Sequence, residues 1–143
     1  MRIDLHSHTT VSDGKLTPDE LINLATATGL DMLAITDHDS IDAYDRIPDR
    51  AGLPFRLIPG IEFSTQWLKI DIHILGLNIN LDSDALRAGI TRQHALRQER
   101  AGLIAEKLSH ELGIDNMLAD IRKLANSDHN IGRPHFARYL IDT

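Results

Sequence analysis

Four times in the first 80 residues a strand-like apolar segment carries histidine or carboxylate at or near its end. The clusters are Asp4-Leu5-His6-Ser7-His8 with Asp13, Thr36-Asp37-His38-Asp39, Pro59-Gly60-Ile61-Glu62, and Asp71-Ile72-His73. This repetition constrains the fold more than any other feature, because in α/β sheets the carboxyl ends of strands carry the chemistry. Arg2 to His8 has the composition of a short strand, on which residues two apart face the same way, so His6 and His8 form a pair. One His-x-His by itself is more often a pair of packing or surface histidines; its recurrence at successive strand ends is what favours a ligand set.

Thr17-Pro18-Asp19-Glu20 is a helix start: Thr17 caps, Pro18 suits the first turn, and Glu20 completes a capping box. Leu21, Leu24, Ala25 and Thr28 share a face, and Gly29 ends the helix. The apolar segment Leu30 to Thr36 reads as a strand buried on both sides, which makes a βαβ unit with parallel strands. A helical stretch near Ile41 to Ile47 stops at Pro48; Phe55 to Ile58 is a third strand closing on Pro59-Gly60, and Lys69 to Ile79 is a fourth. On the fourth, Asp71 and His73 face one way and Ile70, Ile72 and Ile74 the other, where the isoleucines are expected to be buried. Beyond Asn80 the texture becomes helical. One helix runs from Asp84 towards Leu112 with a stripe of Leu86, Ile90, Leu96, Leu103, Ile104 and Leu108; Gly113 stops it. Asp115 caps another through Ala125, and a last one begins at Gly132-Arg133-Pro134. The expected organisation is an α/β metal-site half-barrel over residues 1–82, with about four parallel-type strands, and an all-helical segment over 83–143 that packs on the site.

Composition narrows the function classes. With 143 residues, 42% apolar and 25% charged, the chain can bury a core of its own. A net charge of −6 argues against a broad nucleic-acid footprint, though not against a small anionic ligand. Without cysteine there is neither a disulfide framework nor a thiolate metal site. Met1 leads straight into the first strand and no apolar run approaches the ~20 residues of a membrane span, so the expectation is a cytoplasmic protein without signal peptide or membrane partner.

The candidate ligands are His6, His8, Asp13, His38, Glu62 and His73, more donors than one ion needs. A two-metal site with Glu62 as bridge would clamp phosphate oxygens and turn a bound water into a nucleophile, which points to phosphoester hydrolysis. Each residue has a bland alternative. Glu62 could be a solvated loop carboxylate, and His73 a satisfied structural histidine. Asp37 and Asp39 read as residues that orient His38 and its neighbours. His94, His110 and His129 lack partners at ligand spacing and read as surface residues; Trp67 is either a core anchor or a stacking platform. Arg133, His135 and Arg138 cluster at a helix start, where they form either a phosphate contact or a solvated charged face.

Asp-Leu-His-Ser-His-Thr-Thr at 4–10, Ser-Asp-Gly at 12–14, Thr-Asp-His-Asp at 36–39, Pro-Gly-Ile-Glu at 59–62, Asp-Ile-His-Ile-Leu-Gly at 71–76 and Gly-Arg-Pro-His-Phe-Ala-Arg at 132–138 resemble the PHP superfamily, named for polymerase and histidinol phosphatase domains. Within it they are most similar to the bacterial branch that dephosphorylates nucleoside 3',5'-bisphosphates and trims the 5' ends of short RNAs. The resemblance implies a distorted (β/α) barrel, here its amino-terminal half, with the helical segment as an insertion covering the site. It implies His6, His8, Asp13, His38, Glu62 and His73 as metal ligands, with Asp13, His38 and Glu62 catalytic and Arg133 and His135 as substrate contacts. Its cofactors would be two or more divalent ions, Mn foremost, with Zn, Fe or Mg as alternatives. Its partner would be a small phosphorylated nucleotide or short oligonucleotide. The alternatives are a truncated, non-catalytic metal-binding fragment and another PHP phosphatase, such as one for histidinol phosphate. A barrel cut after its fourth strand would leave an edge open to self-association.

Overall fold

The structure, a computed structural model, describes residues 1–125 and 130–142. Two compact units, Met1–Ala88 and Gly89–Thr143, make up the chain. The first holds β1 (Ile3–Ser7), α1 (Pro18–Ala27), β2 (Met32–Ile35), a short 3-10 helix (Asp42–Arg46), β3 (Arg56–Trp67) and β4 (Ile70–Leu77) in a four-stranded sheet of order β1-β2-β3-β4. α2 (Asp84–Leu112) opens in the first unit and runs into the second, where α3 (Met117–Ala125) and α4 (Arg133–Asp142) follow.

The opening βαβ forms as its residues dictate. Thr17 accepts from the Glu20 N–H at 3.2 Å, and the Glu20 carboxylate accepts from the Thr17 N–H at 2.8 Å, which closes the capping box. Gly29 leaves the helix at φ +65°, a conformation that suits glycine. The inward face of α1 is Pro18, Leu21, Ile22 and Ala25, at the i, i+3, i+4, i+7 spacing, while Leu24 is 49% exposed. Leu21 and Ala25 of the expected face are turned inward, but Leu24 and Thr28 are not, and Ile22 is covered instead. Leu33, Ala34 and Ile35 of β2 are fully buried, as a central parallel strand requires.

β1, β2 and β3 are parallel, but β4 is antiparallel to β3, which corrects the expectation of a fourth parallel-type strand. The two strands meet in a hairpin whose turn residues, Leu68 and Lys69, sit at φ +46° and +70°. Two positive φ values are the geometry of a tight hairpin turn, ordinarily built with Asn or Gly. Pro59-Gly60 is not a turn: β3 runs through it and on to Trp67. Pro59 is the last residue of β3 paired with β2, opposite Ile35, and Gly60 is the first paired with β4, opposite Leu77. A Cβ on Gly60 would lie 2.8 Å from the Thr36 methyl, so only glycine fits this crossing. The buried Tyr44 hydroxyl pins the same point, donating to Ile35 O at 2.6 Å and accepting from the Gly60 N–H at 2.7 Å.

β4 carries Ile70, Ile72 and Ile74 at 64%, 38% and 55% exposure, contrary to the expected burial. It is the last strand of the sheet order, and among the described residues no further strand pairs with its outer side. Of the stripe expected on α2, Ile90 is buried, Leu86 is half-buried, and Ile104 and Leu108 pack against the core with Ala101 and Ala105, whereas Leu96 and Leu103 are 52% and 62% exposed and Arg97 is buried instead. Small residues on α2 leave room for Met117, Ile121 and Phe136 in a shared core. α3 begins at Met117, two residues beyond Asp115. Among the described residues no helix is long and apolar enough to cross a membrane.

Candidate metal centre

His6 lies in β1 and His8 just beyond it, and the ladder to β2 shifts register between Asp4 and Ser7, an irregularity of the kind that re-aims side chains beside sites. The loop that follows is wound tightly. Thr9 O accepts the Ser12 and Gly14 N–H groups at 3.1 and 2.9 Å, and a Cβ on Gly14 would collide with the His8 carbonyl. That winding returns Asp13 to His8, whose Nδ1 meets Asp13 Oδ1 at 2.8 Å. His38 follows β2 and forms a bridge to Glu62. Glu62 pairs with Leu75 and Ser64 with His73, so Glu62 and His73 share one face of the hairpin as diagonal neighbours.

These positions converge on the Glu62 carboxylate, whose side chain is 6% exposed. Its Oε2 lies 2.9 Å from His6 Nε2 and 2.7 Å from His8 Nε2, and its Oε1 lies 2.8 Å from His73 Nδ1. His38 stands between the carboxylates, with Nε2 3.6 Å from Asp13 Oδ2 and Nδ1 3.8 Å from Glu62 Oε2. Three overlapping groups have nitrogen and oxygen atoms within 4.8 Å of one another: His6–His8–Glu62, His8–Asp13–His38 and His38–Glu62–His73. Imidazole nitrogen and carboxylate oxygen at such separations suit a divalent transition metal. All six residues singled out from the sequence as ligands fall in these groups.

The PHP domain model matches residues 4–138. The chain belongs to the PHP domain family. This PHP chain is 44% identical over 142 residues to the 5'-3' exoribonuclease Rnm of Salmonella typhimurium, covering 97% of this chain and 48% of that protein. It is 37% identical over 144 residues to the 3',5'-nucleoside bisphosphate phosphatase of Chromobacterium violaceum, covering 99% of this chain and 50% of that one. Among solved structures, an amidohydrolase from Chromobacterium violaceum with bound sulfate and no metal matches at a TM-score of 0.89 and 35% identity, over 99% of this chain and 50% of its own. The PHP chain thus spans about half the length of the curated relatives it matches, and its sheet and helices are part of a PHP-type barrel.

Charge in the PHP cluster is mutually adjusted. Burial pulls the His8 imidazolium down, but the hydrogen bond and charge of Asp13, together with Glu62, outweigh it and leave His8 above its ordinary value. Burial likewise raises Glu62, yet the His6 hydrogen bond, the His38 charge and the His73 hydrogen bond hold it below the usual carboxylate range. The PHP centre therefore favours an ionised Glu62, the state in which a carboxylate binds metal.

Asp37 and Asp39 are both tied to the segments around the cluster. Asp37 accepts from Thr9 and Ser12, and Asp39 Oδ1 accepts from the Ser64 N–H at 2.8 Å. The roles of Thr9, Ser12 and Tyr44 in holding the surrounding loops and strands were not legible in the sequence. The available signal for the first two was Asp37 itself, a carboxylate behind an apolar strand that must find donors. Trp67 is 67% exposed and is not a core anchor. His110 is exposed, but His94 is half-buried rather than on the surface, and His129 lies outside the described residues. Arg133 is exposed at the start of α4, and the His135 Nδ1 accepts from the Gly132 N–H at 3.0 Å, as the third residue of a helix does in a capping box.

Proposed function

We propose that this PHP domain is the metal-binding part of a metal-dependent phosphoesterase. Its substrates would be phosphate esters of nucleotides, either 3',5'-bisphosphates or the 5' ends of short RNAs. The observation that carries the reading is the buried Glu62 carboxylate, with one oxygen against His6 and His8 and the other against His73. Glu62, His6, His8 and His73, with His38 and Asp13 beside them, would hold divalent metal. The names of the relatives supply the substrate class. Manganese is the ion assigned, with zinc, iron or magnesium as competitors.

Divalent metal held here supplies Lewis acidity, lowering the pKa of water towards neutrality and offsetting phosphate charge. In the reaction a water oxygen attacks phosphorus, the ester P–O bond breaks, and the leaving oxygen takes up a proton. The chain's residues hold this geometry: Glu62 stays ionised between the imidazoles, His8 is aligned by Asp13, and His38, with Nε2 3.6 Å from Asp13 Oδ2, completes the catalytic set with Asp13 and Glu62. Arg133 and His135 are assigned to substrate phosphate, an assignment supported by guanidinium chemistry and their place at a helix start. Arg133→Ala should raise KM for a 3',5'-bisphosphate more than for a simple monoester.

The test is elemental analysis of the purified chain, followed by phosphate release from a nucleoside 3',5'-bisphosphate with Mn2+. Release that is lost on chelation and in Glu62→Gln supports the enzyme. Metal uptake without release supports a second reading, a metal-binding piece without turnover, which is favoured by coverage of only 48% to 50% of the relatives. The exposed Ile70, Ile72 and Ile74 on the edge strand support self-association of copies through β4. Light scattering should show oligomers of the wild type and a monomer for Ile72→Lys.

A further inference from the structure

Asp37 is 1% exposed, and a carboxylate so far from water needs donors on both oxygens. All the donors come from the loop after β1. The Thr9 N–H at 2.7 Å and the Ser12 hydroxyl at 2.6 Å reach Oδ1, and the Thr9 hydroxyl at 2.7 Å reaches Oδ2. Thr9 and Ser12 are 0% and 4% exposed, so these bonds do not compete with solvent. Thr9 organises the rest of the loop: its hydroxyl oxygen accepts the Val11 N–H, and its carbonyl accepts those of Ser12 and Gly14. His8 immediately precedes Thr9, and Asp13 immediately follows Ser12. The two residues that Asp37 grips are therefore the chain neighbours of two candidate ligands. The Asp37 carbonyl also accepts the Glu62 N–H at 3.2 Å, which ties the same residue to β3.

We propose that Asp37 is the positioning residue of this centre. Its carboxylate sets the placement of His8 relative to Asp13, and through them the affinity of the His8–Asp13–His38 group for a divalent ion. The inference rests on the metal-centre reading above and extends it to a residue that contributes no atom to any of the three ligand groups among the described residues. A full carboxylate matches the task because two hydroxyls and an N–H all donate into it. Asparagine keeps an acceptor for the Thr9 N–H and Ser12, but it presents N–H groups towards the Thr9 hydroxyl, so its rescue is partial. Alanine removes every acceptor.

The experiment measures Mn2+ affinity of the whole chain by calorimetry or chelator competition in the wild type, Asp37→Asn, Asp37→Ala, Ser12→Ala and a stability control. Thr17→Ala is that control, because it removes the α1 cap. Ser12→Ala and Asp37→Asn should each weaken Mn2+ binding about 10-fold and Asp37→Ala about 100-fold, the range found for groups that orient ligands. Thr17→Ala should lower the melting temperature and leave affinity unchanged. If Asp37→Ala does not fold, Ser12→Ala and Asp37→Asn decide. Wild-type affinity in those two, or equal losses in Thr17→Ala at matched stability, overturns the proposal while the metal centre stands. A wild-type chain that takes up no Mn2+ overturns both together.

Discussion

Glu62 and His8 hold opposite charges against burial, and the direction of each shift sets a pH window for the metal-free chain. His8 is raised above 6.5, so its contribution is complete below about pH 6.5 and is lost as pH climbs through the folded value. Glu62 is lowered from 4.5, so its contribution is complete above about pH 4.5 and is lost as pH falls through the folded value. The metal-free chain should therefore melt highest between about pH 4.5 and 6.5, as a melting series in chelator will show. A metal-free melting temperature still rising from about pH 7 to 9 would contradict the pairing of these groups. Glu62→Gln keeps the size but removes the anion that the imidazoles surround. It should cost about 3 kcal/mol or more in metal affinity, the scale of breaking a buried pair, and titration calorimetry gives the number directly.

The β3–β4 hairpin is the element that brings His73 to Glu62, and it turns on Leu68 and Lys69, both in the left-handed region. Side chains with a Cβ are strained there by roughly 1–2 kcal/mol per residue. Replacing Leu68-Lys69 by Asn-Gly should relieve that strain and stabilise the chain by about 1 kcal/mol or more. A urea midpoint that rises with an unchanged slope is the expected observation. A fall would mean that Leu68 or Lys69 makes a contact worth more than the strain. Nothing in Trp-Leu-Lys-Ile announces a two-residue turn, so the reversal of β4 was hidden in the sequence. Pro59-Gly60 misled in the opposite sense: the glycine is there for a close crossing of strands and not for a bend.

For the whole molecule, folding and metal binding should be linked, since the candidate ligands come from residues as far apart as His6 and His73 and meet only in the folded chain. A divalent ion at about 100 times its dissociation constant adds about 2.7 kcal/mol, which for a domain of this size raises the melting temperature by roughly 10 °C. Calorimetry with chelator and then with excess Mn2+ checks this. Superimposable curves would leave the cluster without a bound ion.

What the sequence determined by itself was which residues share a face within a strand and the chemistry of the candidate ligand set. Period-two alternation put His6 with His8 and Asp71 with His73, Thr17 to Glu20 fixed the start of α1, and the recurring His and carboxylate clusters named the six residues that gather. Only the tertiary structure decided which face of each element is covered. Leu24 on α1, Leu96 and Leu103 on α2 and the β4 isoleucines are exposed against expectation, because burial depends on a neighbour that local periodicity does not contain. It also decided what Asp37 is for. Its charge demanded donors, but those donors, Thr9 and Ser12, lie 28 and 25 residues away, and only folding the strands side by side brings them within hydrogen-bonding distance.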